Sequence, residues 1–150
     1  MRILVCTDGS EQSKKAMEEA AKIAGGCNVD NVSVIHVYDE KFRIPVWGEE
    51  QNITREDIER FKKLEEDRKE ERKKILTAAV DFFKEKGISA KGIFKEGHPA
   101  ETITRAAKEE EVDMLVVGSR GLGGLKKLWL GSVSNALLQE TGANVLVVKK

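Results

Sequence analysis

Five short apolar runs recur along the chain: Ile3 to Thr7, Val32 to Tyr38, Ile88 to Lys95, Met114 to Gly118 and Asn144 to Lys149. Segments with helical spacing separate them. Val34-Ile35 and Leu115-Val116-Val117 are continuous rather than alternating, as strands covered on both faces require. Between the first two runs, Ala16, Met17, Ala20, Ala21 and Ala24 form one stripe at helical spacing, with Ser10 placed as N-cap and Gly25-Gly26 as a stop. Pro99 suits a helix N1 position, with Ile103, Ala106 and Ala107 following on one face. Repeated βαβ units predict an α/β fold, a doubly wound five-stranded parallel sheet with helices on both faces and strand order 3-2-1-4-5.

The 150 residues fit one domain, long enough to bury well over half of the unfolded surface without staples. Twenty-six basic residues balance 26 acidic ones, so no global field argues for nucleic acid or an anionic membrane, and any anion site must be local. Cys6 and Cys27 lack CxxC spacing and a histidine cluster, so neither a zinc site nor a disulfide framework is indicated; they read as inert thiols in a reducing compartment. The first apolar run starts almost at Met1, leaving no room for a signal peptide, and no stretch approaches the roughly 20 apolar residues of a membrane span. A cytoplasmic location is the expectation.

From about 53 to 86 the chain reads as one long charged helix. Its C-terminal part carries Ile75, Ala79, Phe82 and Phe83, whereas the run from Glu65 to Lys74 is solvated and laced with opposite charges at i,i+4, as in Glu65 with Lys69 and Glu70 with Lys74. A protruding arm for a partner is the functional reading and a solvated helix face the structural one. Ahead of it, Pro45, Trp47 and Gly48 mark a loop.

Ligands of open parallel sheets collect outside the carboxyl ends of the strands, where the winding reverses. With the order above, that point lies between the first and fourth strands. Those strands end at Thr7-Asp8-Gly9-Ser10 and Gly118-Ser119-Arg120-Gly121, and nine residues after Gly121 comes Gly131-Ser132-Val133-Ser134. Glycine lets backbone N–H groups approach an anion, and a helix start offers N–H donors without intrahelical partners, so the pattern is that of a phosphate cradle. A P-loop would need GxxxxGK[ST]; Lys126-Lys127 follow Gly123-Gly124-Leu125 without the serine or threonine. A dinucleotide fingerprint fails because Lys126 stands where the third glycine belongs. Asp8 is placed to accept ribose hydroxyls, with helix capping as the structural reading. Ser132 and Ser134 suit an N-cap beside phosphate, and Arg120 and Lys126-Lys127 are candidate phosphate contacts. His36 and His98 read as structural and Cys6 as core.

Two glycines flanking two residues, nine residues, then Gly-Ser resembles the nucleotide-binding signature of the universal stress protein family, in its ATP-binding subgroup. The resemblance extends to Val5-Cys6-Thr7-Asp8-Gly9-Ser10, His36-Val37-Tyr38-Asp39 and Gly97-His98-Pro99-Ala100-Glu101-Thr102-Ile103. It implies that Asp8 lies beside the ribose end, that the neighbouring Thr7 belongs to the nucleotide site and that the Val37 backbone meets the adenine edge. It further implies that Gly118, Arg120 and Gly121 line the ribose and phosphates, and that Gly131, Ser132, Val133 and Ser134 hold the phosphate tail.

The expected function is an ATP-binding stress-response or regulatory protein whose nucleotide sets conformation or partner choice, with Mg2+ carried by the phosphates. No motif places a second carboxylate or a histidine to activate water. The alternative is a slow ATPase or nucleotidyl-transfer enzyme, although Thr7-Asp8-Gly9-Ser10-Glu11-Gln12-Ser13 lacks the glycine pair of an SGGxDS-like loop. The last strand, apolar on both faces, would be an exposed edge, which with the resemblance predicts a homodimer that pairs or covers it.

Overall fold

The computed structural model describes residues 1–39, 54–122 and 130–149. In chain order the elements are β1 (Arg2–Cys6), α1 (Glu11–Gly26), β2 (Asn31–Tyr38), α2 (Arg55–Glu85), β3 (Ala90–Glu96), α3 (Pro99–Glu109), β4 (Met114–Gly118), α4 (Ser132–Glu140) and β5 (Asn144–Val148). All the strand pairs are parallel, and the order is β3-β2-β1-β4-β5. The reversal therefore falls between β1 and β4.

Successive residues of a strand point to opposite faces, and the continuous apolar runs use both. Ile3, Val5, Val34 and Val116 meet Ala16, Met17 and Ala20 of α1 and Ala79 and Phe83 of α2. Leu4, Cys6, Ile35, Leu115 and Val117 meet Ile103, Ala106 and Ala107 of α3 and Leu137 of α4. Two helices thus cover each face, and the alternation that marks a half-exposed strand is lost because neither face is wet.

Several boundaries differ from expectation. Helix α1 runs through Gly25 and Gly26 and is capped at Cys27, whose N–H donates to Ile23 O at 2.9 Å; a Cβ at either glycine would meet nothing within 4 Å, so neither is forced to stop the helix. Strand β3 starts at Ala90 rather than Ile88. Ile88 belongs to the turn after α2, donating its N–H to Phe83 O at 3.0 Å beside Gly87 at φ +75°. Ser10 caps α1 as expected, accepting from Ser13 N, and Pro99 opens α3.

Helix α2 is 31 residues long, about 46 Å at 1.5 Å per residue, whereas β2 has eight. Its start is fixed by a capping box of Thr54 and Asp57. Ala79 and Phe83 are buried near its end while Leu64 is exposed, so its N-terminal part overhangs the carboxyl ends of the strands. Glu70 pairs with Lys73 at i,i+3, at 2.7 Å, and Lys69 crosses to Glu96 of β3 at 3.1 Å. The Trp47 loop and Lys126-Lys127 lie outside the described residues.

Candidate functional site

A cavity of about 500 Å³ opens at the switch point, bounded by the ends of β1, β2 and β4 and by α2, α3 and α4. The fold brings together there all ten residues that the resemblance assigns to the nucleotide: Thr7, Asp8, Val37, Gly118, Arg120, Gly121, Gly131, Ser132, Val133 and Ser134.

Past β1 the backbone is tied down by its own side chains. Thr7 N–H donates to Ile35 O at 3.0 Å and extends the ladder one step beyond the strand. Asp8 then bridges the crevice: Oδ1 accepts from Ser10 N–H and Oδ2 from Leu122 N–H, each at 2.9 Å. Both the bracing role and the location at the switch point therefore apply to this carboxylate. A Cβ on Gly121 would stand 2.5 Å from Asp8 Oδ2, which explains glycine there. Gly118 has a different reason. A Cβ on it would meet Gln12 backbone atoms at 2.8 and 2.9 Å, so this glycine lets the first turn of α1 seat against β4.

The loop from β4 to α4 closes on itself. Ser119 N–H donates to Val148 O at 2.8 Å, and Gly131 N–H donates to Ser119 O at 2.7 Å. The Ser134 hydroxyl lies 3.2 Å from Ser119 O and 3.1 Å from Gly131 O, so it braces the loop. Neither Ser132 nor Ser134 is the N-cap. Gly131 holds that position, and no side chain caps α4. Two helix N-termini thus reach one crevice in different states. At the start of α1 the Ser10 side chain accepts the Ser13 N–H, whereas α4 has no side-chain cap, and Ser132, Val133 and Ser134, whose N–H groups have no intrahelical acceptor, line the cavity.

The β2 side offers backbone as well. In a parallel ladder, N–H and C=O of one residue point to the same neighbour and alternate along the strand. Ile35 O accepts from the β1 side and Tyr38 O from Gly97 on the β3 side, so Val37 N–H and C=O turn toward β1. The β1–β2 register ends at Cys6 with Ile35, and Val37 therefore presents a donor and an acceptor past the last rung.

His36 is 3% exposed; its ring nitrogen Nδ1 lies 2.7 Å from Thr7 O and, as the donor, leaves Nε2 buried without a partner among the described residues. Burial holds its pKa below the usual histidine value; the Thr7 bond and Asp8 oppose the shift and the Arg72 charge adds to it. The Cys6 thiol is pushed up to about 12, chiefly by burial and further by Asp8, so it stays protonated and unreactive. Among the described residues no group of three or more His, Cys, Asp or Glu could hold a metal.

A model described as the universal stress protein family matches residues 1–149. The chain belongs to the universal stress protein family. It is 36% identical to the universal stress protein YxiE of Bacillus subtilis, covering 99% of this chain and 98% of that one. It is 30% identical to the universal stress protein MJ0577 of Methanocaldococcus jannaschii, covering 99% and 94%. The solved MJ0577 structure superposes with a TM-score of 0.80 at 29% identity, over 99% of this chain and 95% of that one. A universal stress protein crystallised in complex with cAMP gives 0.66 at 26% identity, over 99% and 95%. No helix among the described residues of this universal stress protein is long and apolar enough to cross a membrane.

Of the lining residues that the sequence left unassigned, among them Ser13, Leu122 and Leu130, a charged one stands out. Arg72 of α2 reaches the same cavity, from within the run assigned to solvent. It lies on the line of inward positions Leu76, Ala79 and Phe83, at spacings of four, three and four. A cation continuing an apolar stripe was the available signal.

Proposed function

We propose that this universal stress protein binds an adenine nucleotide, ATP with Mg2+ carried on its phosphates, and that the bound nucleotide sets its conformation or its choice of partner. The observation that carries this is the contrast between the two helix starts at the switch point: α1 has a side-chain cap, Ser10 accepting the Ser13 N–H, whereas α4 has none and its first residues line the cavity behind a glycine loop. A helix terminus contributes only about 0.3 to 2 kcal/mol toward an anion. Micromolar affinity needs about 8 kcal/mol. The remainder is drawn from the rest of the crevice: the Val37 N–H and C=O pair matches the acceptor and donor of an adenine edge, and Asp8 stands between them and the cradle. The relative in complex with cAMP supports the ligand class.

With no cluster of metal ligands among the described residues, the cation is best supplied together with the phosphates. The regulatory reading is preferred to hydrolysis because both Asp8 oxygens accept backbone N–H groups and His36 Nε2 is buried, so neither is set to activate water. The homodimer belongs to the same proposal. The test is to denature the purified protein and identify by mass and absorbance any nucleotide released, then titrate the stripped, refolded protein with ATP in a calorimeter. ATP binding near micromolar is expected. An absence of heat with ATP, in protein shown to be folded, would sink the proposal.

A further inference from the structure

The geometry points to Arg72 as the residue that covers one face of the bound base, a selecting contact made from α2. The inference rests on the nucleotide reading above. If the phosphates occupy the cradle between β4 and α4, the base falls two strands away at the end of β2. Neighbouring strands are about 4.8 Å apart, so the separation is on the order of 10 Å, about the reach of a nucleotide from phosphate to base. There the Val37 N–H and C=O project within the plane of the sheet, past the last rung with β1. A base bonded to them by its edge continues that plane. Its two faces then look toward the two helical layers.

The layers differ. On one side stands Ile103 of α3, buried and apolar. On the other stands Arg72, on a turn of α2 that its neighbours position. One turn earlier, Lys69 is engaged by Glu96 and sits 5.9 Å over the Tyr38 ring. One turn later, Ile75 meets Gly9, where an added Cβ would lie 3.2 Å from its Cδ1. Arg72 thereby sits on the turn of α2 between β2 and the β1–α1 loop, where it lines the cavity. Among the described residues its guanidinium makes no hydrogen bond or ion pair, and the Nε2 atom of His36, which lines the same cavity, also lacks a partner. A planar, weakly hydrated cation without a carboxylate suits the face of an aromatic base. The neutral His36 leaves that charge uncontested.

The test measures ATP, ADP and AMP affinities of wild type, Arg72→Ala and Arg72→Lys by calorimetry, with thermal melts to confirm folding; alanine is a strong helix former and leaves α2 intact. Arg72→Ala is expected to weaken all three ligands by the same factor, about 10- to 30-fold. Arg72→Lys stays weakened, because lysine restores the charge without the plane. A loss that shrinks from ATP to AMP would make Arg72 a phosphate contact and overturn the inference, as would full rescue by lysine or an unchanged affinity in Arg72→Ala. Wild type that binds none of the three overturns the nucleotide reading and this inference with it, an outcome distinct from a binding wild type with an indifferent variant.

Discussion

Asp8 and Gly121 act as one unit across the switch point. Asp8 reaches over the gap between β1 and β4 to take the Leu122 N–H, and it can do so only because residue 121 has no side chain. Gly121→Ala puts a methyl group 2.5 Å from where Oδ2 now sits. A carboxylate can swing aside, so the expected cost in stability is small, about 1 to 2 kcal/mol, set by the unmade hydrogen bond. The expected cost in ATP affinity is of the same size, about tenfold or about 1.4 kcal/mol, near the lower end of what a hydrogen bond to a charged group contributes. Asp8→Ala is expected to lose about as much, and the double variant no more than Asp8→Ala alone. Additive losses in the four titrations would show that the two residues act separately. Much of this was legible in the sequence, where the acid and the glycine loop stand out as types. That Gly118 serves α1 was not, because its neighbour Gln12 is 106 positions away, a distance only the folded sheet closes.

At the scale of elements, strands and short helices were legible because each has its own signal: continuous apolar runs, a serine cap, a proline start. Helix α2 shows where local pattern stops. Its charge run reads as evenly solvated, yet the sheet divides it, burying Ala79 and Phe83, leaving Leu64 about half exposed and bringing Arg72 to the crevice. The exposed ion pairs along it contribute little, typically under about 1 kcal/mol each. The packed end holds the element in place. Phe83→Ala removes a side chain that is 0% exposed and is expected to cost about 3 to 5 kcal/mol in urea unfolding. Leu64→Ala, at a position 47% exposed, should stay within about 1 kcal/mol. Equal costs would mean that the overhanging part of α2 is as firmly packed as its foot.

The whole molecule has two sheet edges, and they are treated differently. Strand β3 carries Lys91, Lys95 and Glu96, charges of the kind that discourage a further strand. Strand β5, Asn144–Val148, carries none. Asn144 N–H donates to Asp113 O and Val148 O accepts from Ser119 N–H, so residues 144, 146 and 148 bond to β4 while the backbones of Val145 and Val147 face outward. A second copy, related by a two-fold axis, can pair with or cover those groups. Sedimentation is therefore expected to give a mass of about twice 16.7 kDa at micromolar concentration. Val147→Pro removes an outward N–H without taking a bond from the β4 ladder, which an edge strand tolerates. It is expected to shift the population toward monomer while far-ultraviolet dichroism is retained. A wild-type mass of 16.7 kDa independent of concentration would end the argument for pairing. A dimer indifferent to Val147→Pro would place the contact elsewhere, on a surface that leaves the β5 edge open.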